Sequence, residues 1–297
     1  MTQKKIDITI AIPTCYGGQS LVDTVETIVQ AAQGLSVEIL IQADRTPLTP
    51  EVKAKLKKLG AQVAWNDVEG SQFKKLKQLL DKAQGEIFVF TQDDITFAPA
   101  AIKEIQAAFA RDKKLTMTGS RVLPLPPVTT FEKSMAVMVR IVDHTAGYWR
   151  NGNNYLAASG RCLAFRTETF RKFRIPEMVV NGDMFLYLEN KSVGGKFKQL
   201  KKSHVFIRCP QKLRDQVGPS SRFQFSKQEL VNYFDFPIDK EYKVSRRATA
   251  RAIFKELVEY PSATFGYFFI YVYTRLRRQS YKKVSNPVWD VDASTKS

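Results

Sequence analysis

The sequence predicts an α/β fold: a mainly parallel sheet flanked by helices, followed by a C-terminal basic and aromatic helical extension. Three observations carry this. Strand-like and helix-like stretches alternate four times, with short connections, between Ile6 and Ala110. One of the strands, Ile87 to Phe90, is apolar throughout, as expected of a strand buried on both faces, and it ends in two adjacent carboxylates, Asp93 and Asp94. Beyond about Gln211 the pattern changes to Arg, Lys and aromatics. These observations set expected domains at 1–210 for the α/β body and 211–297 for the extension.

Each element has its own warrant. Ile6 to Ile12 saturates with Ile and Ala and reads as a buried strand that Pro13-Thr14 stops. Gly17-Gly18 turns the chain, Ser20 is the expected helix cap, and Leu21, Val25, Ile28 and Ala32 fall on one helical face that Gly34 ends. Val37 to Ile41 is the second strand, with Asp44 just past its end. Thr49-Pro50 opens a helix closed by Gly60, and Gln62 to Trp65 is a short strand. Ser71 starts a helix carrying Phe73, Leu76, Leu79 and Leu80 on one side. The Ile87 to Phe90 strand follows, then a helix from about Pro99 to Ala110.

Past Thr116 the reading is coarser. Leu123-Pro-Leu-Pro-Pro127 is expected to be neither a regular helix nor a central strand. Phe131 to Val142 is helix-like, Asn151 to Asn154 a loop, and Ala157 to Arg166 another buried strand. Thr167 is the expected cap of a short helix, Asp183 heads the next one, and Lys196 to Leu200 is a strand edge. His144 reads as a loop or surface residue and Cys162 as a small core residue.

The composition is that of a globular protein, at 44% hydrophobic and 11% aromatic, but the net charge is +17. That surplus implies an anionic partner: nucleic acid, an acidic membrane face or phosphorylated substrates. Three widely spaced cysteines give neither a disulfide framework nor a metal spacing, which points to a reducing cytosol. The polar start from Met1 to Lys5 has no signal-peptide pattern, and no window reaches the ~20 apolar residues of a membrane span. The window from Tyr260 to Tyr273 is apolar and aromatic, and basic residues follow it; it fits either an interfacial segment on anionic lipid or a core helix with a solvated tail.

The chemistry rests on acids at strand ends. Asp44 and Asp93-Asp94 end different strands of one sheet, and the carboxyl rim is where open α/β sheets bind ligands. Adjacent carboxylates repel unless a cation or donors hold them, and a divalent ion with oxygen ligands, such as a diphosphate brings, does so. The plain alternative is a solvated Asp-Asp turn. Neither G-x-G-x-x-G nor G-x-x-x-x-G-K is present, which excludes a classical dinucleotide fold or P-loop.

Several segments together resemble the family 2 glycosyltransferases of the GT-A (Rossmann-like) type. They are Thr9-Ile-Ala-Ile-Pro-Thr14, Glu38-Ile-Leu-Ile-Gln-Ala-Asp44, Ala83 to Asp94, Ala158 to Arg166 and Asn181-Gly-Asp183, within a stretch from Ile8 to His204. The resemblance implies that Pro13 and Thr14 line the nucleotide pocket and Asp44 accepts hydrogen bonds from the base. The family's D-x-D falls on Gln92-Asp93-Asp94, so that Gln92 replaces an acid, Asp94 ligates Mn2+ or Mg2+ and Asp93 lies beside it. Gly160 would lie near the sugar, Asp183 would be the catalytic base with Gly182 in place of the family's Glu, and His204 would be a late metal ligand. Arg222, near Gln216 but off the Q-x-x-R-W spacing, is a candidate for acceptor or diphosphate, and Trp149 and Tyr155 for stacking on an acceptor sugar. Lys74, Lys75 and Lys77 occupy the region of the family's Arg-Asn.

The implied activity is inverting transfer from a nucleoside-diphosphate sugar to a hydroxyl of a lipid-linked or cell-envelope glycan. It would take place in the cytoplasm at the inner face of the membrane, with an anionic membrane surface as partner and no nucleic acid. Two rivals stay open: a basic nucleic-acid-binding protein, suggested by interleaved Lys, Arg and aromatics over residues 201–283, and a catalytically inactive scaffold of the same fold.

Overall fold

Every residue of the first strand, β1 (Ile8–Thr14), is buried, and the sheet is built outward from it. The computed structural model describes residues 5–67 and 70–277, without the side chains of residues 218, 219, 222 and 223. In α1 (Gln19–Ala31), Leu21, Val25 and Ile28 recur at helical spacing and face the sheet; its N-cap is Gly18, so Ser20 lies inside the helix and does not cap it. The chain continues through β2 (Val37–Asp44), α2 (Pro50–Lys58), β3 (Ala61–Asn66) and α3 (Gln72–Lys82). Thr49 and Ser71 do cap, taking the amides of Val52 and Lys74. Then come β4 (Ile87–Thr91), β5 (Ile95–Phe97) and α4 (Ala101–Arg111).

The second half adds β6 (Leu115–Pro124), α5 (Thr130–Tyr148), β7 (Cys162–Arg166), α6 (Thr167–Phe170), α7 (Gly182–Ser192) and β8 (Lys196–Ile207). The strand order is β3-β2-β1-β4-β7-β6-β8-β5. The pairs β3–β2, β2–β1, β1–β4 and β6–β8 are parallel, whereas β7 runs antiparallel between β4 and β6, and β5 runs antiparallel to β8. Alternation along β4 fills both faces: Val89 packs with Ile10, Ile41 and the α1 side, while Phe88 and Phe90 pack with Phe165, Phe170 and the α3 side.

Some expectations from the sequence change here. The acid pair leads into β5, a three-residue strand that forms only because β8, over a hundred residues later, pairs with it. Far from ending at Leu200 as an edge, β8 has twelve residues and is paired on both sides. β6 runs through Leu123 to Pro124, opposite Ile207. Proline is tolerated there because β6 pairs with β7 only from Met117 to Gly119, and the Leu125 amide reaches the Ile207 carbonyl, leaving Pro124 nitrogen toward the open side. The Thr167 hydroxyl donates to the Gly85 carbonyl instead of capping a helix.

The remaining elements are helices: α8 (Leu213–Leu230), α9 (Asp239–Tyr242), α10 (Arg246–Glu259) and α11 (Pro261–Leu276). They are tied to the body by buried carboxylates. Glu241 holds Arg150 at 2.7 Å and Lys191 at 2.5 Å, and Glu256 holds Arg140 at 2.7 Å. His144 lies in α5 with Nε2 3.4 Å from Glu256 and is no free surface residue. Burial pulls the Glu256 carboxyl toward protonation, but His144 and Arg140 outweigh it and hold it below its ordinary range. Cys162 sits in the core, where burial pushes its thiol up to about 12 despite a hydrogen bond from Ser120. Among the described residues no helix is long and apolar enough to cross a membrane.

Candidate active site

β1, β2 and β4 are parallel neighbours, so their carboxyl ends share one rim. Thr14 ends β1 and Asp44 ends β2. Gln92, Asp93 and Asp94 follow β4 directly, with the two acids in a turn. The Thr14 hydroxyl accepts from the Gly17 amide at 3.1 Å and donates to Asp93 Oδ2, which locks the ends of β1 and β4 together. Asp93 is buried by this arrangement and Asp94 is half-buried.

Asp44 is 2% exposed. Its Oδ2 accepts from the Gly70 amide at 3.0 Å and from Lys75 Nζ at 2.7 Å, whereas Oδ1 is buried without a hydrogen-bond partner. A buried acceptor left open is costly unless a ligand donor fills it. The recess it faces is lined by Gln42, Asn66, Gly70, Lys74 and Gln78. Lys75 is thereby placed in the site as a buried ion-pair partner, where the sequence offered only a cluster of helix lysines; Lys77 stays exposed.

Asp183 reaches the same rim from another direction. It sits in the first turn of α7, and its Oδ2 accepts from the Gly160 amide at 2.8 Å. Gly160 lies two residues before β7, whose Cys162 is opposite Thr91, and the Thr91 hydroxyl donates to the Arg161 carbonyl at 2.7 Å. Because β7 is antiparallel to β4, its beginning meets β4's end. Asp44, Asp93 and Asp183 therefore all stand on the rim of β2-β1-β4-β7. Position 182 has no room for a side chain: a Cβ there would lie 2.5 Å from Phe73 Cε1. The Phe73 ring, edge-on to Phe185 at 5.8 Å, occupies that space.

One contributor escaped the sequence reading. Glu229, near the end of α8, accepts from the Val180 amide at 2.6 Å, the Asn181 amide at 3.2 Å and Asn181 Nδ2 at 2.9 Å. It clamps the turn that presents Asp183. No local pattern marks a lone glutamate whose partners lie 48 and 49 residues away. Glu229→Gln replaces one acceptor oxygen by a donor facing amides and is expected to cost about 1–3 kcal/mol of stability, since amides of the turn that presents Asp183 lose their acceptor. Urea denaturation of the variant beside the native chain reads this.

Other candidates lie apart from this group. The register Ile95↔Ile207 brings the end of β8 level with Asp94, and His204 is three residues, about 10 Å, back along that strand. His204 Nε2 instead pairs with the Lys201 carbonyl at 2.9 Å. The structure thus does not bring His204 to Asp94. Trp149 is buried, edge-on to Tyr155 at 5.9 Å and with the Arg150 guanidinium 5.1 Å above its ring, so it offers no open face for a sugar. Tyr155 itself is half-buried and packs against the core with its ring tilted on that of Tyr242, centroids 5.4 Å apart. Pro13 is buried in β1, Gln92 is half-buried, and the Arg222 side chain lies outside the described residues. Among the described residues no group of three or more His, Cys, Asp or Glu side chains is disposed to hold a metal.

The family model for Glycosyl transferase family 2 matches residues 9–174. No curated protein matches the sequence significantly. Among solved structures, the chain is similar to the mannosyltransferase PcManGT from Pyrobaculum calidifontis in complex with GDP-Man and Mn2+, with TM-score 0.59 and 13% identity over 94% of this chain and 77% of that one. It is also similar to glucosyl-3-phosphoglycerate synthase from Mycobacterium tuberculosis in complex with Mn2+, UDP and glucosyl-3-phosphoglycerate (TM-score 0.53, 14% identity, 78% and 81% covered). A third similar structure is S. aureus TarS (TM-score 0.52, 14% identity, 85% and 44% covered). At such identities the likeness is one of fold.

Proposed function

This chain belongs to glycosyl transferase family 2, and we propose that it moves a sugar from a nucleoside-diphosphate sugar to an acceptor hydroxyl with inversion at the anomeric carbon. Its GT-A fold and its assignment as a glycosyltransferase follow from the family, and the rival of a nucleic-acid-binding protein gives way to them. The observation that carries the finer reading is the meeting of Asp44, Asp93 and Asp183 on one rim.

In this reading Asp44 takes an N–H of the base on its open Oδ1, while Pro13, Thr14 and Gln92 line the nucleotide and Gly160 the sugar. Asp183 takes the proton of the acceptor hydroxyl. The acceptor oxygen bonds to the anomeric carbon as the bond from that carbon to the diphosphate oxygen breaks, its electron pair leaving with the diphosphate. A single carboxylate on the acceptor side suits one displacement, hence inversion. The α7 turn and the Gly160 amide hold Asp183 in place. Asp93 and Asp94 offer hard oxygens from one turn, which fits a Mn2+ or Mg2+ ion with its other positions left for phosphate oxygens and water. Asp94 would hold such an ion, which would neutralise charge developing on the leaving diphosphate. Mn2+ together with nucleotides in the similar structures supports this choice. The acceptor we propose is a lipid-linked or cell-envelope glycan, met at the inner face of the membrane; the charge of +17 supports it.

Thermal denaturation with a panel of nucleoside diphosphates, each with and without Mn2+, tests the reading. One base is expected to raise the melting temperature by about 5 °C, and only with the metal. No rise with any of them would sink it.

A further inference from the structure

Two C-terminal helices turn a regular stripe of side chains away from the protein. On α10 it is Arg247, Arg251, Phe254 and Val258, with the exposed Arg251 at the border resting its guanidinium 4.3 Å over the Tyr148 ring of α5; on α11 it is Phe265, Phe269, Val272 and Leu276. Both sets step by four, three and four residues, which is one face of a helix. The opposite faces are full. Ala252 and Glu256 of α10 lie buried against α5, with Ala252 packed on Val137 and Ile141. Gly266 of α11 meets Ser134 so closely that a Cβ there would be 2.4 Å from its hydroxyl. The outer faces are bare: Phe265 is 66% exposed, Phe269 73% and Leu276 81%. Large apolar side chains in continuous register, unlike scattered single ones, mark a surface that meets something.

The charges around the stripe select the partner. Arg247 and Arg251 continue it, and Arg275 and Arg277 stand exposed at its other end. On the two helices Glu259 alone carries exposed negative charge, and Lys255 lies 3.7 Å from it. Tyr260 and Tyr271, both partly exposed, flank the apolar residues with a polar tip, the kind of side chain that sits at headgroup depth. A second copy of the chain is a poor occupant, because a two-fold contact through this face would set arginines against arginines. Neither helix is long and apolar enough to cross a bilayer.

We propose that this face of α10 and α11 is a membrane-docking surface, which lays both helices flat in the headgroup region of an anionic bilayer. The apolar stripe enters the interface and the arginines meet lipid phosphates. Docking gives the proposed lipid-linked acceptor a route to Asp183: α11 packs on α8, and α8 carries the Glu229 that clamps the turn before that residue. The acceptor clause rests on the function proposed above, whereas the docking stands on the face alone.

The test is sedimentation of the full chain with phosphatidylcholine vesicles and with phosphatidylcholine–phosphatidylglycerol vesicles, without nucleotide. The chain is expected to pellet with the anionic vesicles alone. Phe265→Ser with Phe269→Ser, and separately Arg247→Gln with Arg277→Gln, are each expected to weaken that binding at least ~tenfold while the melting temperature and its response to nucleoside diphosphate stay unchanged. Three results would overturn the proposal: no binding to anionic vesicles, undiminished binding by the phenylalanine variant, or a lipid-free dimer that the phenylalanine variant dissolves. Because no donor is present, failure here leaves the transferase reading untouched, and a flat nucleotide panel leaves the docking untouched.

Discussion

Asp183→Asn is expected to lower kcat by roughly a thousandfold while the affinity for nucleoside diphosphate stays within about twofold. Asparagine has the shape of aspartate and keeps an oxygen that can accept from the Gly160 amide, now 2.8 Å from Oδ2. The turn held by Glu229 is therefore unchanged, and so is Gly182 under the Phe73 ring. What is lost is a site for the acceptor's proton. The recess proposed to hold the nucleotide lies around Asp44 and shares no residue with this turn, so binding is the internal control. Single-turnover transfer measured beside nucleotide titration separates the outcomes. If Asp183→Asn lost nucleotide affinity in proportion to rate, Asp183 would be a structural support of the rim and the base would have to be sought elsewhere. A rate left intact would remove it from the chemistry altogether.

How much of this was legible in the sequence follows from where each residue's partners lie. The first half is built from contacts between near neighbours: strand, turn, helix and parallel strand, with caps at Thr49 and Ser71 that work as their local patterns require. The acid pair could be placed at the rim because a run such as Ile87 to Phe90 must be interior and charges must not be. The second half depends on pairings across long separations. β5 has three residues and gains its strand character from β8; nothing in Ile95-Thr-Phe97 alone separates it from a loop. Pro124 misled for the same reason, since it is tolerated only where β7 has already left β6. Trp149 suggested a ligand contact by residue type and His204 by its place relative to the family's late metal ligand, and both have their capacity taken up locally, by Arg150 and Tyr155 in one case and by Lys201 in the other. Gly182 looked like a weakened motif. Its neighbour Phe73, on a helix over a hundred residues earlier in the chain, gives it a steric reason that no single segment could reveal.

The Asp44–Lys75 pair allows fold and function to be separated by experiment. Lys75 is 8% exposed and Asp44 2%, so the pair is a buried one. Asp44→Ala leaves the ammonium buried without its counter-charge and is expected to cost about 3–5 kcal/mol of stability, seen as a lower midpoint in urea. Loss of nucleotide binding in that variant alone would be ambiguous, because a loosened α3 would also blunt the recess. Replacing both partners removes the ambiguity. Apolar groups of similar volume in place of a buried ion pair are often neutral for stability, because neither charge then has to be desolvated. Asp44→Leu with Lys75→Met is therefore expected to recover most of the lost stability yet remain unable to hold a nucleoside diphosphate, since the open acceptor Oδ1 is gone. Urea titration and nucleotide titration of the same sample read the two quantities. Were the double variant to bind nucleotide as tightly as the native chain, Asp44 would be a purely structural partner of Lys75, and the unfilled oxygen in the recess would have no ligand to explain it.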